Sequence, residues 1–219
     1  MSLFTFLLEN PDQVLDKFIE HFILFLISWL LAVVISFGFS IIVTRTWVSP
    51  KVASVAVSIT GATQAVPSMA IIALIFLVTG IGMKPAIIAL FLYSLAPIIF
   101  NTTSGFRTIS PRLIESATGM GMTPLQILLK VEIPQVMPAF FSGIRTAATI
   151  NIGTATVASA IGAGGLGELI FVGLRMIQTD RIFAGAFPAA LMALAVDFLL
   201  AMVEKGVTSK GIRLELNKI

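Results

Sequence analysis

The sequence predicts an all-α membrane protein: five transmembrane helices, a short amino-terminal interfacial helix, and short helices in one long cytoplasmic loop. Three observations carry that prediction. The 219 residues are 57% hydrophobic and 11% charged, with a mean hydropathy of +1.02, whereas a soluble domain carries about 25% charged residues. The apolar residues gather into runs long enough to cross about 30 Å of hydrocarbon at about 1.5 Å per helical residue. Proline and glycine stand near the ends of several runs, where they stop or restart a helix. The chain has no cysteine, so neither a disulfide framework nor a thiolate metal site is available, and no metal site is expected.

Residues 1–21 read as an extracellular interfacial segment. Asn10, Pro11 and Gln13 make a helix start, with Asn10 as the cap and Pro11 in the first helical position. Val14, Leu15, Phe18, Ile19 and Phe22 then share one face, and Asp12, Asp16, Lys17 and Glu20 the other, the pattern of a helix lying in a membrane surface. His21 is read as a solvated interfacial residue. The amino terminus is acidic and lacks a cleavage site of small residues, so it is kept as part of the mature chain. A membrane domain follows over 22–203, and a cytoplasmic tail over 204–219. The first span is 22–44, with Arg45, Trp47 and Lys51 after it as a basic and aromatic anchor.

Residues 52–83 carry no charge. They are too many for one perpendicular crossing and too few for two, so they read as one crossing with a lead-in, broken near Gln64 between Gly61 and Pro67. Backbone freed at such a break must line a cavity or be buried in protein. A turn through Gly80, Gly82 and Lys84 leads to the third span, 85–106, which contains Pro97 and Asn101. After the polar loop, 107–138, the fourth span is 139–161. Its small and polar run over 149–159 suits close helix approach and hydrogen bonds between helices. A glycine-rich turn ends it, and the fifth span is 182–203.

Five crossings place the two chain ends on opposite sides, and lysine and arginine decide which side is which. Loops on one side hold ten of these residues: Arg45, Lys51, Arg107, Arg112, Lys130, Arg145, Lys205, Lys210, Arg213 and Lys218. Those on the other side hold Lys17, Lys84, Arg175 and Arg181. The basic excess sets the 107–138 loop and the tail in the cytoplasm and the amino terminus outside a bacterial plasma membrane.

The 107–138 loop carries the strongest motif. Pro111, Pro124 and Pro134 punctuate it into two short helical pieces. Gly119 and Gly121 sit where those pieces meet, permitting positive φ and close approach of another backbone. Glu115 stands near a helix start, where the dipole favours a carboxylate. The pattern of Glu115, Ala117 and Gly121, then Val131, Ile133 and Pro134, resembles the Glu-Ala-Ala loop of ABC importer permeases; Ser116 and Ile133 are small departures in shape. The resemblance implies coupling helices that lie in a groove of a separate ATPase, through Glu115, Ala117, Gly119, Gly121, Met122, Pro124, Ile133 and Pro134.

The likeness extends over most of the chain and is weakest before Thr44. Within 85–173, Ala-Leu-Phe-Leu-Tyr-Ser-Leu-Ala-Pro-Ile, Gly-Met-Gly-Met-Thr, Gly-Ile-Arg-Thr-Ala and Gly-Ala-Gly-Gly-Leu-Gly-Glu-Leu-Ile-Phe resemble the glycine betaine, carnitine and choline permeases. Methionine importer permeases share the loop and the glycine turn and are the alternative. The family implies two ATPase subunits that hold ATP and Mg, a second permease copy or paralogue, and an extracellular receptor that selects substrate in an aromatic cage. The sequence ends just after its tail, so that receptor is expected as a separate chain. No G-x-x-x-x-G-K-[ST] occurs, so the chain has no P-loop for ATP; it is expected to be no enzyme, to bind no cofactor itself, and to meet lipid rather than nucleic acid. Five spans enclose too little for a pore, which again calls for pairing.

Polar residues within spans are candidates for a translocation path: Gln64, Pro67, Ser68, Asn101, Asn151, Thr154 and Thr156. The turn of Gly162, Gly164, Gly165 and Gly167 reads either as a flexible cap on the fourth span or, by the resemblance, as part of an outer gate. Gly162, Gly164 and Gly167 also match G-x-G-x-x-G, but a dinucleotide site needs a soluble strand before it and an acidic residue about 20 positions on, and a membrane span precedes it here. Asp197 is the one acid deep within a span, so it is a functional candidate. Arg145 lies at a similar depth, and a structural ion pair is expected, since no second buried acid completes a proton relay. An ion-driven secondary transporter would show inverted repeats and coupled acids, and an intramembrane enzyme would need a base; neither is apparent.

Overall fold

The computed structural model describes residues 4–45 and 48–208, and every regular element in that range is helical. The expected roles of Trp47, Lys210, Arg213 and Lys218 lie outside the described residues. A short α1, Thr5–Glu9, is followed by α2, Pro11–Val43. Helices α3, Pro50–Ala65, and α4, Ser68–Thr79, form a bent pair. Next come α5, Met83–Arg107, and α6, Pro111–Gly119. A single turn α7, Pro124–Ile127, passes through a π-helical turn, Leu128–Glu132, into α8, Ile133–Ala158. After a 3₁₀ turn, Ser159–Ile161, the chain ends in α9, Leu166–Met176, and α10, Thr179–Val207.

Four helical stretches among the described residues are long and apolar enough to cross a membrane: Pro11–Val43, Met83–Arg107, Pro124–Ile161 and Thr179–Val207. Where the second crossing is expected, α3 and α4 meet at 100°, a bent pair that makes a fifth candidate if the two count as one span. The break falls where the sequence placed it. Val66, held extended before Pro67 as residues preceding proline are, separates the two helices.

Two expected boundaries are corrected. Residues 11–21 are not a separate helix, because no proline or glycine stands between Asp12 and Phe37 and α2 runs through Glu20 and His21 without a break. Asn10 does not cap α2 with its side chain; its amide donates to the Phe6 carbonyl of α1 at 3.3 Å. The second piece of the 107–138 loop is likewise not bounded by Pro134 or Pro138. The π turn widens the helix just before Pro134, accommodating a residue that has no N–H to donate, and the helix continues.

Helix α5 lies at the centre, packed most extensively on α8 and α2. Small residues let these helices approach: Ala86, Ala89, Ala155 and Ala158 are buried together with Leu24, Ile72 and Leu90. At Gly143, a Cβ would stand 3.0 Å from both Ile98 Cα and the Pro97 carbonyl oxygen, so any side chain there would press the two backbones apart. A second core joins Phe25, Ile152, Leu166, Leu169 and Met192, tying α9 and α10 to the bundle.

Several polar groups inside this apolar bundle are matched to partners on other helices. Asn151, fully buried, donates from Nδ2 to Ser28 Oγ at 2.9 Å and Ser94 Oγ at 2.8 Å, joining α8 to α2 and α5. Pro97 has no N–H for the carbonyl four residues back, and Gln64 Nε2 donates to that Tyr93 carbonyl at 2.6 Å. Replacing Asn151 by Leu removes two buried side-chain hydrogen bonds, while Ser28 and Ser94 still donate to Leu24 O and Leu90 O of their own helices, and is expected to cost about 1–3 kcal/mol. Thermal or denaturant unfolding in detergent checks this; an unchanged midpoint would refute the account of the node.

Candidate functional site

Two ends of one helical rod carry the expected site. At the first end, α6 closes in a Schellman arrangement: the Gly121 amide donates to Thr118 O at 2.9 Å and the Met122 amide to Ala117 O at 3.2 Å. Gly121 has φ +78, a conformation that disfavours any side chain. Thr123 then starts the next helix with a capping box. Its hydroxyl accepts from the Gln126 amide at 3.4 Å, while the Gln126 side chain accepts from the Thr123 amide at 2.8 Å, and Pro124 occupies the first helical position.

This platform buries Ala117 and Ile127 and leaves Glu115, Ser116, Gly119, Met120, Gly121 and Leu125 exposed. Met120 and Leu125 are large apolar side chains, 75% and 63% exposed, and they flank an exposed carboxylate. Met122, Ile133 and Pro134 are half-buried. The platform is braced from behind: Arg45 at the end of α2 pairs with Glu132 of the π turn at 2.8 Å and lies 5.5 Å from the Phe106 ring centroid. The Arg45 expected as a membrane anchor is thus an internal tie.

At the other end of α8, the glycine turn is pinned rather than loose. Gly162, Gly164 and Gly165 have φ between +76 and +81. The Gly165 amide donates to Glu20 Oε2 at 2.8 Å. A Cβ on Gly164 would overlap that carboxylate, and one on Gly167 would overlap the Thr156 carbonyl and the Ser159 hydroxyl. Lys17 Nζ bridges Glu20 at 3.0 Å and Glu168 at 2.7 Å. His21, expected in solvent, is fully buried and its Nε2 donates to Ile152 O at 3.1 Å. One turn of α2, from Lys17 to His21, therefore grips the chain on both sides of the glycines.

Between the two ends, α8 presents a polar face. Ser142, Thr146, Thr149 and Gly153 are exposed at spacings of four, three and four, which is one helical stripe. Arg145 beside it donates from Nε to Asp197 Oδ1 at 2.8 Å, from Nη2 to Asp197 Oδ2 at 3.0 Å and from Nη1 to Glu204 Oε2 at 3.1 Å. The expected Arg145 and Asp197 are thus brought together, with Glu204 as a further partner.

The path candidates divide. Thr156 borders the exposed stripe, and Pro67 and Ser68 stand at the α3–α4 break. Gln64 and Asn101 are committed to backbone carbonyls, Asn101 to that of Pro97 at 2.8 Å. Asn151 and Thr154 are buried in the protein, so neither faces a cavity in this arrangement. Among the described residues, no cluster of His, Cys, Asp and Glu is placed to hold a metal ion.

Residues 36–209 match the binding-protein-dependent transport system inner membrane component family. The chain belongs to that family. The permease is 42% identical to the carnitine transport permease protein OpuCB of Listeria monocytogenes, over 97% of this chain and 96% of that protein. It is 39% identical to the glycine betaine/carnitine/choline transport system permease protein OpuCB of Bacillus subtilis, again over 97% and 96%. Its fold is that of a chain in the inward-facing MetNI methionine ABC transporter, with a TM-score of 0.80 at 20% identity, covering 92% of this chain and 99% of that one.

Sequence reasoning missed Glu20, Lys17, Glu168, Glu204 and the exposed stripe. Glu20 and Lys17 looked like the wet face of a short helix, and their partners lie more than 140 residues away. The stripe was visible as small polar residues, but the sequence alone does not say which helix neighbours cover them. In the permease, Glu20→Ala is expected to speed amide exchange at Gly165 by about tenfold or more, as loss of a hydrogen bond to a charged group implies, while Glu20→Gln, which keeps an acceptor oxygen, stays close to wild type. Hydrogen exchange followed by mass spectrometry measures both, and equal protection in wild type and Glu20→Ala would refute the pinning.

Proposed function

We propose that this chain is the membrane subunit of an ATP-driven importer for quaternary-amine osmoprotectants such as glycine betaine, carnitine and choline. The carrying observation is similarity along 97% of the chain, at 39–42% identity, to permeases named for those compounds. The likeness to the methionine transporter is at 20% identity and supports the fold alone, so methionine is not the favoured cargo.

In this reading α3 and α4 together make one broken crossing, which with the other four gives five, with the amino terminus outside. The surplus of lysine and arginine on the 107–138 side supports that orientation. Helices α6 and α7 form the coupling element for two copies of a separate ATPase, which hold ATP and Mg. Support comes from the exposed Met120 and Leu125 around Glu115, since apolar side chains outside the spans have neither lipid nor core to cover them. Two permease copies, or this chain and a paralogue, enclose the path, with the hydroxyl stripe of α8 facing it, because polar groups in a membrane face a partner or water. A separate extracellular receptor delivers the substrate, and the pinned glycine turn stands at the outer end of α8.

Proteoliposomes holding the permease, its ATPase and its receptor test the reading. Labelled glycine betaine is expected to accumulate only with ATP, with choline and carnitine competing; uptake driven by an ion gradient alone, or of methionine alone, would overturn it. Glu115→Lys is expected to leave the permease inserted while lowering ATP-dependent uptake at least about tenfold, as reversal of one contact charge implies. Unchanged uptake would sink the coupling role of α6.

A further inference from the structure

The Arg145 cluster sits against a cavity of about 440 Å³ lined by Ser142, Arg145, Thr146, Thr149, Ile150 and Asp197. That volume is in the range of small-molecule sites. Three features define its chemistry. The cluster holds one arginine against Asp197 and Glu204, so one positive charge meets two negative charges and one negative charge is left in excess. Arg145 commits Nε, Nη1 and Nη2 to those carboxylates, which removes it as a clamp for an incoming carboxylate.

The hydroxyls complete the picture. Thr146 Oγ1 donates to the Ser142 carbonyl at 2.9 Å and Thr149 Oγ1 to the Arg145 carbonyl at 3.1 Å. Each hydroxyl has one hydrogen, so with that hydrogen spent on its own helix the oxygen offers the cavity lone pairs alone. The lining is therefore electronegative, with its arginine neutralised. Asp197 keeps 42% of its side chain exposed, so the excess negative charge is open to a cation, and an ionisable group within a span is a functional candidate.

We infer that this cavity between α8 and α10 is a resting site for a quaternary-ammonium cation on its way through the permease, and that it favours a net cation over a zwitterion. A quaternary ammonium has no N–H to place, so it needs room, lone pairs and surplus negative charge, which are what the cavity supplies. The carboxylate of a zwitterion finds no uncommitted cation among the lining residues. The inference rests on the quaternary-amine reading above.

The chain has no cysteine, so Thr149→Cys places a single thiol in it, at the cavity wall. Labelling of that thiol by a maleimide is followed in the assembled transporter in liposomes, with choline chloride, glycine betaine or lithium chloride added. Choline is expected to slow labelling, glycine betaine to do so several-fold less, and lithium chloride at equal ionic strength not at all. Adding Glu204→Gln, which removes the surplus charge yet keeps an oxygen for Arg145, is expected to raise the choline concentration for half-protection by about tenfold. Asp197→Asn in the same background provides a second neutralisation with the same expected shift. Protection absent, equal for choline and lithium, or indifferent to both neutralisations would overturn the site. Uptake of choline by the unsubstituted permease, with no protection in the cysteine variant, would overturn the site and leave the import reading standing; charge-sensitive protection in the variant, with no uptake by the unsubstituted permease, would support the site and overturn that reading.

Discussion

A polar group left without a partner in an apolar medium costs several kcal/mol, and much of the arrangement of this chain follows from meeting that constraint. Pro97 leaves the Tyr93 carbonyl without a donor in its own helix, and Gln64, from the α3 side of the break, supplies one. Asn151 gathers Ser28 and Ser94 into one node where α2, α5 and α8 cross. His21 donates a hydrogen bond from Nε2 to the Ile152 carbonyl, and Glu20 accepts one from the Gly165 amide. Each bond joins segments far apart in sequence, so satisfaction of polar groups and definition of the helix packing are the same event. Glycine and alanine at the crossings add the close approach that makes these bonds short enough to form.

The second consequence is mechanical. From the capping box at Thr123 to the 3₁₀ turn at Ile161 the chain is one helical stretch of 38 residues, about 57 Å at 1.5 Å per residue. Its first turns carry the exposed platform, its middle carries Arg145 and the hydroxyl stripe, and its far end is the glycine turn gripped by Lys17 and Glu20. A displacement at one end of a continuous helix reaches the other unless the helix yields on the way, and its first departure from regular α-helical geometry is the π turn at Leu128–Glu132. Arg45 pairs with Glu132, so that turn is tethered to the end of α2. Helix α8 thus joins the exposed platform at one end of the bundle to the glycine turn at the other.

Much of the site was legible in sequence because its signals are local. Proline and glycine spacing in 107–138 reports backbone conformations that depend on a few neighbouring residues, and Gly121 takes the left-handed conformation such spacing calls for. The break near Gln64 was legible for the same reason, through Pro67. What went astray depends on distant neighbours. His21 and Glu20 look solvated beside Lys17 and Asp16, yet packing against Ile152 and Gly165 buries the one and anchors the other. Asn151, a polar residue in a span, suggested a lined path, and the same polarity is spent on two serines brought to it by α2 and α5. Pro134 and Pro138 suggested a helix boundary, but the π turn and tertiary packing carry the helix past them.

Composition and apolar run length by themselves determined that this chain is an all-helical membrane protein, because about 20 apolar residues in helical form are what a bilayer admits. Short-range motifs likewise determined where the exposed platform of 107–138 and the glycine turn lie, and the residues there sufficed to suggest the family. The tertiary structure alone decided which face of α8 is open, that Glu204 joins the Arg145 pair, and that the glycine turn is clamped by α2. Those are choices between partners separated by tens of residues or more, and no local pattern encodes them: a hydroxyl, an arginine or a glutamate carries the same sequence signal whether it meets water, lipid or another helix, and only the packing of the bundle assigns its neighbour.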